Sequence, residues 1–235
     1  MFHSNDAGLN WLQVFSAPGG VLPSYLSSAV PFFADAQTGY FAYGPGFIIK
    51  TTDAGVSWFQ VSSGSGNSIN DMDRFVNGDI IAVGENGTIL KKANGSSRWS
   101  IQTSVTQTNF KAIQVIGSSD AVAVDDAGKI FISTDGGINW SGASSTPQDL
   151  LTAEDLDFTT LQDGWVIGQG YTSGALYHTT NGGSSWNAVP DFMGYYNSLD
   201  VQGSNIWATN ITGLYYRSTD NGNTWIEGSL PGQPY

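Results

Sequence analysis

Apolar residues in this chain come in short runs, separated by glycine- and asparagine-rich polar stretches. Val122, Val124, Ile130 and Ile132 fall at a spacing of two, the mark of half-buried strands. Asn77-Gly78, Asn86-Gly87 and Gly117-Ser118 are turn dipeptides between such runs. No stretch combines a helical period with caps, so the pattern predicts an all-β chain of hairpins. Five successive units are expected, each of four strands, A to D. In the first unit they lie at 28–33, 39–43, 47–51 and 58–61. Strands A, B and C are expected at 69–76, 79–83 and 88–92 in the second unit, and at 110–116, 121–124 and 129–133 in the third. They follow at 153–158, 164–167 and 175–179 in the fourth, and at 198–202, 205–208 and 214–218 in the fifth, whose D strand is 225–227.

Between strands C and D one stretch keeps returning, with the pattern Ser/Thr-x-Asp-x-Gly-x-x-Trp. Residues 133–140 and 218–225 are its cleanest copies; 4–11, 51–58 and 179–186 follow the same template, and a degenerate copy reads from Lys91 to Trp99. The six tryptophans, Trp11, Trp58, Trp99, Trp140, Trp186 and Trp225, stand 47, 41, 41, 46 and 39 residues apart. Propeller blades repeat at about 40–50 residues. Asp6, Asp53, Asp135 and Asp220, with Asn181 in the same place, are expected to accept hydrogen bonds from backbone N–H groups two or three residues on. Gly at the fifth position permits a positive φ. The Trp is expected to open the outgoing strand and to bury on the order of 150–250 Å². In the copy at Lys91, Ala93 takes the place of the aspartate and Arg98 reads as an extra residue, so this turn is expected to be looser.

The motif resembles the Asp-box, or BNR repeat, of sialidases, sortilin-type receptors and photosystem II assembly-factor-like propellers. The repeat around it, with a strand and a Gly-rich turn at 80–90 before the box, is most similar to the last of these. The resemblance covers nearly the whole chain and implies a β-propeller of four-stranded antiparallel blades, strand A nearest the axis. Full blades are expected at 16–61, 62–102, 103–143, 144–189 and 190–228, with a C–D half blade at 1–15 and a tail at 229–235. The half blade reads as the outer part of a blade whose inner strands stand upstream, in a ring of six or seven blades. A ring closed by a reduced blade, or open edges paired with another chain, are the alternatives.

Composition narrows the classes. With 30 glycines, 13% aromatic and 12% charged residues, the chain is globular and turn-rich. Its net charge is −12 with eight Lys and Arg, which leaves no basic footprint for nucleic acid. No apolar run approaches the ~20 residues of a membrane span, and no membrane insertion is expected. The absence of cysteine excludes disulfides, thiolate metal sites and cysteine nucleophiles. Met1-Phe2-His3 is no signal peptide, yet the low Lys content and the wealth of Ser, Thr, Asn and Gly suit an extracellular, cell-surface or periplasmic protein.

In a propeller the C–D and A–B turns lie on one face, and the D–A and B–C loops on the other. The box carboxylates are therefore read as structural. The longer loops of the opposite face are 16–26, 141–152, 168–174 and 187–197. On that face stand Tyr25, Tyr43, Phe47, Tyr171, Phe192, Tyr195 and Tyr196, with Asp149, Glu154 and Asp191 nearby. Aromatics mixed with carboxylates suit a sugar or a peptide with basic residues. The same aromatics also suit a plainer role, folded back over the loop bases.

Sialidases of this fold, as the resemblance implies, clamp a carboxylate with three arginines. This chain has only Arg74, Arg98 and Arg217, and the last two sit beside boxes, so that activity is rejected. Inverting glycosidases need two carboxylates roughly 6.5–9.5 Å apart. Asp71, Asp73, Asp155 and Asp157 are the inward candidates, since residues two apart share a face of a strand. Their plainer role is to bind the backbone of a neighbouring blade. His3 and His178 form no metal cluster, Asp125 and Asp126 lack EF-hand spacing, and no metal or cofactor is expected. The expected function is a non-enzymatic, exported propeller that serves as a protein-binding or assembly scaffold. The alternatives are a carbohydrate-binding or glycoside-hydrolase-like propeller, and a structural subunit that self-associates through unpaired blade edges. The photosynthetic relatives, as the resemblance implies, meet their partner through an arginine-rich patch, which three arginines cannot build.

Overall fold

Each hairpin turn sends the chain back beside the strand it has just left, so strands pair in sequence order. In this computed structural model the described residues are 2–3, 10, 12–13, 31–42, 44–171, 174–190, 192, 195–210 and 213–229. A two-stranded antiparallel sheet joins β1 (Phe2–His3) to β2 (Leu12–Gln13). Five four-stranded antiparallel sheets follow. The first blade holds β3 (Pro31–Phe33), β4 (Gly39–Ala42), β5 (Phe47–Thr51) and β6 (Phe59–Ser62). The second holds β7 (Ile69–Arg74), β8 (Ile80–Gly84), β9 (Ile89–Lys92) and β10 (Ser100–Ile101). The third holds β11 (Phe110–Ile116), β12 (Asp120–Asp125), β13 (Ile130–Ser133) and β14 (Ser141–Gly142). The fourth holds β15 (Leu150–Phe158), β16 (Gly164–Gly170), β17 (Gly174–Thr179) and β18 (Asn187–Ala188). The fifth holds β19 (Ser198–Gln202), β20 (Asn205–Thr209), β21 (Leu214–Ser218) and β22 (Ile226–Ser229). The chain is thus an all-β propeller of four-stranded antiparallel blades.

The core lies in the seams between blades. Ile80 and Ala82 of β8 face the first blade, while Ile81 and Val83 face the third. In β12, Ala121 and Ala123 turn to the second blade, and Val122 and Val124 to the fourth. All eight are sealed from solvent, which corrects the half-buried pattern expected for β12: its alanines fill a seam as its valines do. Each box Trp from the second blade onward packs toward the preceding blade. Trp99 meets Tyr40 edge-on, Trp140 joins Phe75 and Ile81, Trp186 packs with Val122 and Val124, and Trp225 meets Trp165.

Three local expectations change. The D strands begin one residue after the Trp, at Phe59 and Ile226, and have only two residues in the second, third and fourth blades. The indole explains this, because it closes the turn: Trp58, Trp140 and Trp225 donate their Nε1–H to the carbonyls of Gly55, Gly137 and Gly222 at 3.0, 3.2 and 3.0 Å. The fourth blade is longer than expected, with Leu150 paired to Gly170, because Leu150 is buried in the seam with the third blade. The degenerate box, finally, has no inserted residue. Lys92 pairs with Ile80 where Thr51 pairs with Gly39 and Thr179 with Gly164, so the box runs from Lys92 to Trp99 with Asn94 in the aspartate's place. Nor is it left open: Asn94 donates its N–H to Asp79 at 2.9 Å and its amide to the carbonyl of Asn77 at 2.9 Å.

Candidate functional site

Two sets of hydrogen bonds separate the faces of the molecule. On one, each box is bound to the A–B turn of its own blade: Ala54 to Gln37, Gly136 to Ser119, Gly182 to Gln162 and Asn221 to Ser204, at 2.8–3.0 Å. On the other, B–C turns bind the D–A loops: Gly46 to Asn67, Gly87 to Thr108 and Asp126 to Asn109, at 2.7–3.0 Å. Asp125 and Asp126 belong to this second set, accepting from Ala127, Lys129, Thr108 and Asn109.

The box carboxylates are consumed by their own turns. Asp53 accepts the N–H of Ser57 at 2.8 Å and its hydroxyl at 2.5 Å; Asp220 does the same with Thr224 at 2.8 and 2.6 Å. Asp135 takes the N–H groups of Ile138 and Asn139 at 3.1 and 2.9 Å. The clasp therefore reaches mainly four residues on, one or two further than expected, because the Ser or Thr at the first position occupies the nearer N–H groups. Thr51, Ser133, Thr179 and Ser218 accept from the fifth-position glycine at 2.8–3.0 Å and donate to the third-position side chain. The Ser57 and Thr224 hydroxyls and the Asn139 N–H hold the carboxyls of Asp53, Asp220 and Asp135 down at about 2. Asn181 keeps the geometry without charge, taking the Ser185 N–H at 2.8 Å. Asp135→Asn is accordingly expected to lower the melting temperature less at neutral pH than Asp135→Ala does; equal losses in thermal unfolding would contradict the clasp. Asp6 and Trp11 lie outside the described residues.

The four inward aspartates join blades. Asp71 and Asp73 accept the N–H groups of Ile113 and Val115 in β11 at 2.8 and 2.6 Å. Asp155 and Asp157 accept those of Leu199 and Val201 in β19 at 2.9 and 2.7 Å. Gln114 makes the corresponding join to β15, accepting from Phe158 and donating to Asp157 at 2.7 Å. Desolvation outweighs these donors; repulsion from Asp155 and Asp73 adds to it at Asp71, and repulsion from Asp157 adds to it at Asp155. The carboxyl of Asp71 is raised to about 7 and that of Asp155 to about 6.

The aromatic candidates divide. Phe47, Tyr171 and Tyr195 are exposed at the B–C and D–A loop face. Tyr196 is 1% exposed, a correction to its place among the surface candidates: it packs on Phe192 and Tyr216 and donates its hydroxyl to Glu227 at 3.2 Å. Tyr25, Tyr43 and Asp191 lie outside the described residues. Asp149, in the left-handed region with φ 64°, borders a cleft of about 390 Å³ with Thr146, Tyr177, Ser185 and Trp186. Tyr177 donates its hydroxyl to the carbonyl of Gln148, and burial, with the Asp149 charge second, raises its pKa. Tyr177 carried no sequence signal, since it reads only as a C-strand residue. His178 stacks on Trp165 and contacts Asp163, within a strand as expected. Among the described residues no group of three or more His, Asp or Glu side chains is placed to hold a metal ion.

Comparison with known proteins agrees with this architecture. The BNR/Asp-box repeat family matches residues 131–141, the box of the third blade. No curated protein matches the chain in sequence. YCF48 from Cyanidioschyzon merolae superposes with a TM-score of 0.56 at 16% identity, over 86% of this chain and 85% of that one. A GH74 xyloglucanase from Xanthomonas campestris gives 0.60 at 14% identity, over 83% of this chain but 37% of the enzyme. The WD40 propeller domain of Doa1 gives 0.64 at 10% identity, over 85% and 68%. At these identities the likeness is one of fold, and the chain is a BNR-type β-propeller that resembles YCF48.

Proposed function

We propose that this chain is a non-catalytic, exported propeller that binds a protein through the face of its B–C and D–A loops, and that the partner presents a segment carrying Lys or Arg. The observation that carries this reading is the exposure of Phe47, Tyr171 and Tyr195 on that face of a chain with net charge −12. Exposed tyrosines with a hydroxyl at the rim are common anchors in protein interfaces. Charge of one sign steers and selects a partner of the other. The inward aspartates support the non-catalytic part, because each carboxylate is engaged by backbone N–H groups of the next blade. Composition supports export. In a screen of random peptides, bound sequences should be enriched in Lys and Arg. Tyr171→Ala combined with Tyr195→Ala should weaken them about tenfold or more without changing the melting temperature. Binding that ignores peptide charge, or that survives the double substitution, would overturn the proposal.

A glycan reading is favoured by one specific observation, the cleft in which Trp186 and Tyr177 stand beside Asp149 and the hydroxyls of Thr146 and Ser185. Retention on a neutral glycan array, lost in Trp186→Ala, would favour that reading over the peptide one.

A further inference from the structure

Three of the eight basic side chains of this acidic protein meet in one cleft of about 200 Å³, on the box face and away from the aromatic loops. It opens between the first and second blades. Lys50 comes from the end of β5, Arg74 from the end of β7, and Lys92 from the first position of the degenerate box. That position is a buried Ser or Thr in the other four described boxes, whose hydroxyl ties the turn together. Here it is a lysine, 8% exposed.

The Lys92 ammonium lies 5.8 Å from the centroid of the Tyr40 ring, and the Lys50 ammonium lies at the same distance from that ring. Among the described residues neither ammonium has a hydrogen-bond acceptor or an ion-paired carboxylate. The neighbouring carboxylates are committed elsewhere. Asp79 pairs with Lys91 at 3.2 Å and accepts from Asn94, while Asp35, at the rim, accepts the N–H groups of Gln37 and Thr38 at 2.8 and 2.7 Å. Arg74 donates to the carbonyl of Ala34 at 2.7 Å, which fixes its guanidinium at the mouth. Burying an ammonium without a partner is costly, and two of them repel. Burial and, second, the Lys50 charge lower the pKa of Lys92, so a counter-charge beside it would stabilise its charged form. A Thr at this position would remove that cost.

We infer that this cleft binds a small oxyanion, the carboxylate or phosphate group of a small-molecule ligand, held between Lys92 and Lys50 with Arg74 at the entrance. Both lysines offer point charges with free donors, and the guanidinium suits a planar pair of oxygens. The volume admits one acidic group with a few attached atoms and not a polymer. The site goes beyond the peptide-binding reading and does not depend on it.

The experiment is thermal unfolding of the full chain, titrated with inorganic phosphate and separately with acetate, against sodium chloride at matched ionic strength. Saturable stabilisation is expected, with a rise of about 3–5 °C at ten times the dissociation constant. A response to phosphate alone identifies a phosphoryl ligand and a response to acetate alone a carboxylate; either supports the site. Lys92→Thr should melt at or above the wild-type temperature in chloride and lose the response, and Lys50→Gln should weaken it about tenfold. If Lys92→Thr does not fold, Lys50→Gln with Arg74→Gln carries the same test. No saturable effect beyond chloride, or a response that persists in these variants, overturns the inference.

Discussion

Trp140→Ala is expected to destabilise the protein by about 3–5 kcal/mol, the range for removing a large buried aromatic. The indole is 7% exposed and fills the seam between the second and third blades against Phe75 and Ile81. It also closes the box, giving its Nε1–H to the carbonyl of Gly137 at 3.2 Å. Truncation opens a cavity bounded by two separate sheets, which cannot collapse onto it without pulling apart the joins from Asp71 to Ile113 and Asp73 to Val115. The urea midpoint should fall accordingly, and the melting temperature by roughly 10 °C. Trp140→Phe keeps most of the apolar bulk but strands the carbonyl, so about 1–2 kcal/mol is expected there. Trp58→Ala should cost less than Trp140→Ala, because Trp58 is only half-buried and meets Phe33 of its own blade edge-on. A loss below 1 kcal/mol in Trp140→Ala would show that the box Trp does not hold the seam.

The repeat was legible because each box carries its own chemistry: a hydroxyl, a carboxylate, a glycine and an indole at fixed spacing, all satisfied within eight residues. Strand positions followed, since only short apolar runs fit between such turns. What escaped the sequence depends on contacts between blades. Gly137 has φ 81°, which a turn explains, but a Cβ there would also stand 2.3 Å from Cδ1 of Ile81 in the preceding blade. Tyr196 looked like a loop aromatic beside Tyr195, and only the packing of Phe192 and Tyr216 shows that it is core. The register of the degenerate box is hidden in the sequence because two lysines, Lys91 and Lys92, stand where a Ser or Thr marks the first position of the other boxes. Lys92 stands seven residues before Trp99, the same offset as Thr51 before Trp58, so the spacing carries the signal and the residue type obscures it. The inward aspartates were legible as a pair of alternatives, and the register of β11 and β19 decides between them: the N–H groups that meet these carboxylates belong to the next blade.

Those aspartates make stability fall as pH rises through neutrality. A carboxyl whose folded pKa exceeds its unfolded value, about 4, holds its proton more tightly in the native chain. The native state then binds more protons than the unfolded one, so stability is fully present below pH 4 and is lost as pH rises through about 6 for Asp155 and about 7 for Asp71. Asp73 and Asp157 are raised by desolvation in the same direction. The box aspartates act oppositely. Held at about 2 by their hydrogen bonds, they contribute stability above pH 4 that is lost as pH falls through 2. The two groups together place maximal stability near pH 4–5, below the pH 5–8 range common among proteins. Asp71 is only partly shielded from solvent, which screens its charge, and about 2–4 kcal/mol is the expected loss from this group between pH 4 and 8. Asp71→Asn should flatten the profile, removing up to about 1.4 kcal/mol per pH unit of slope near pH 5–6, between the unfolded and folded pKa values. It should also be less stable than the wild type at pH 4, since the amide oxygen cannot serve both Met72 and Ile113 as the carboxyl group does. Urea midpoints measured at unit steps from pH 3 to 9 decide the matter: a midpoint that stays level or climbs between pH 5 and 8, or a slope unchanged in Asp71→Asn, would mean that these carboxylates ionise freely and that burial between the blades does not govern them.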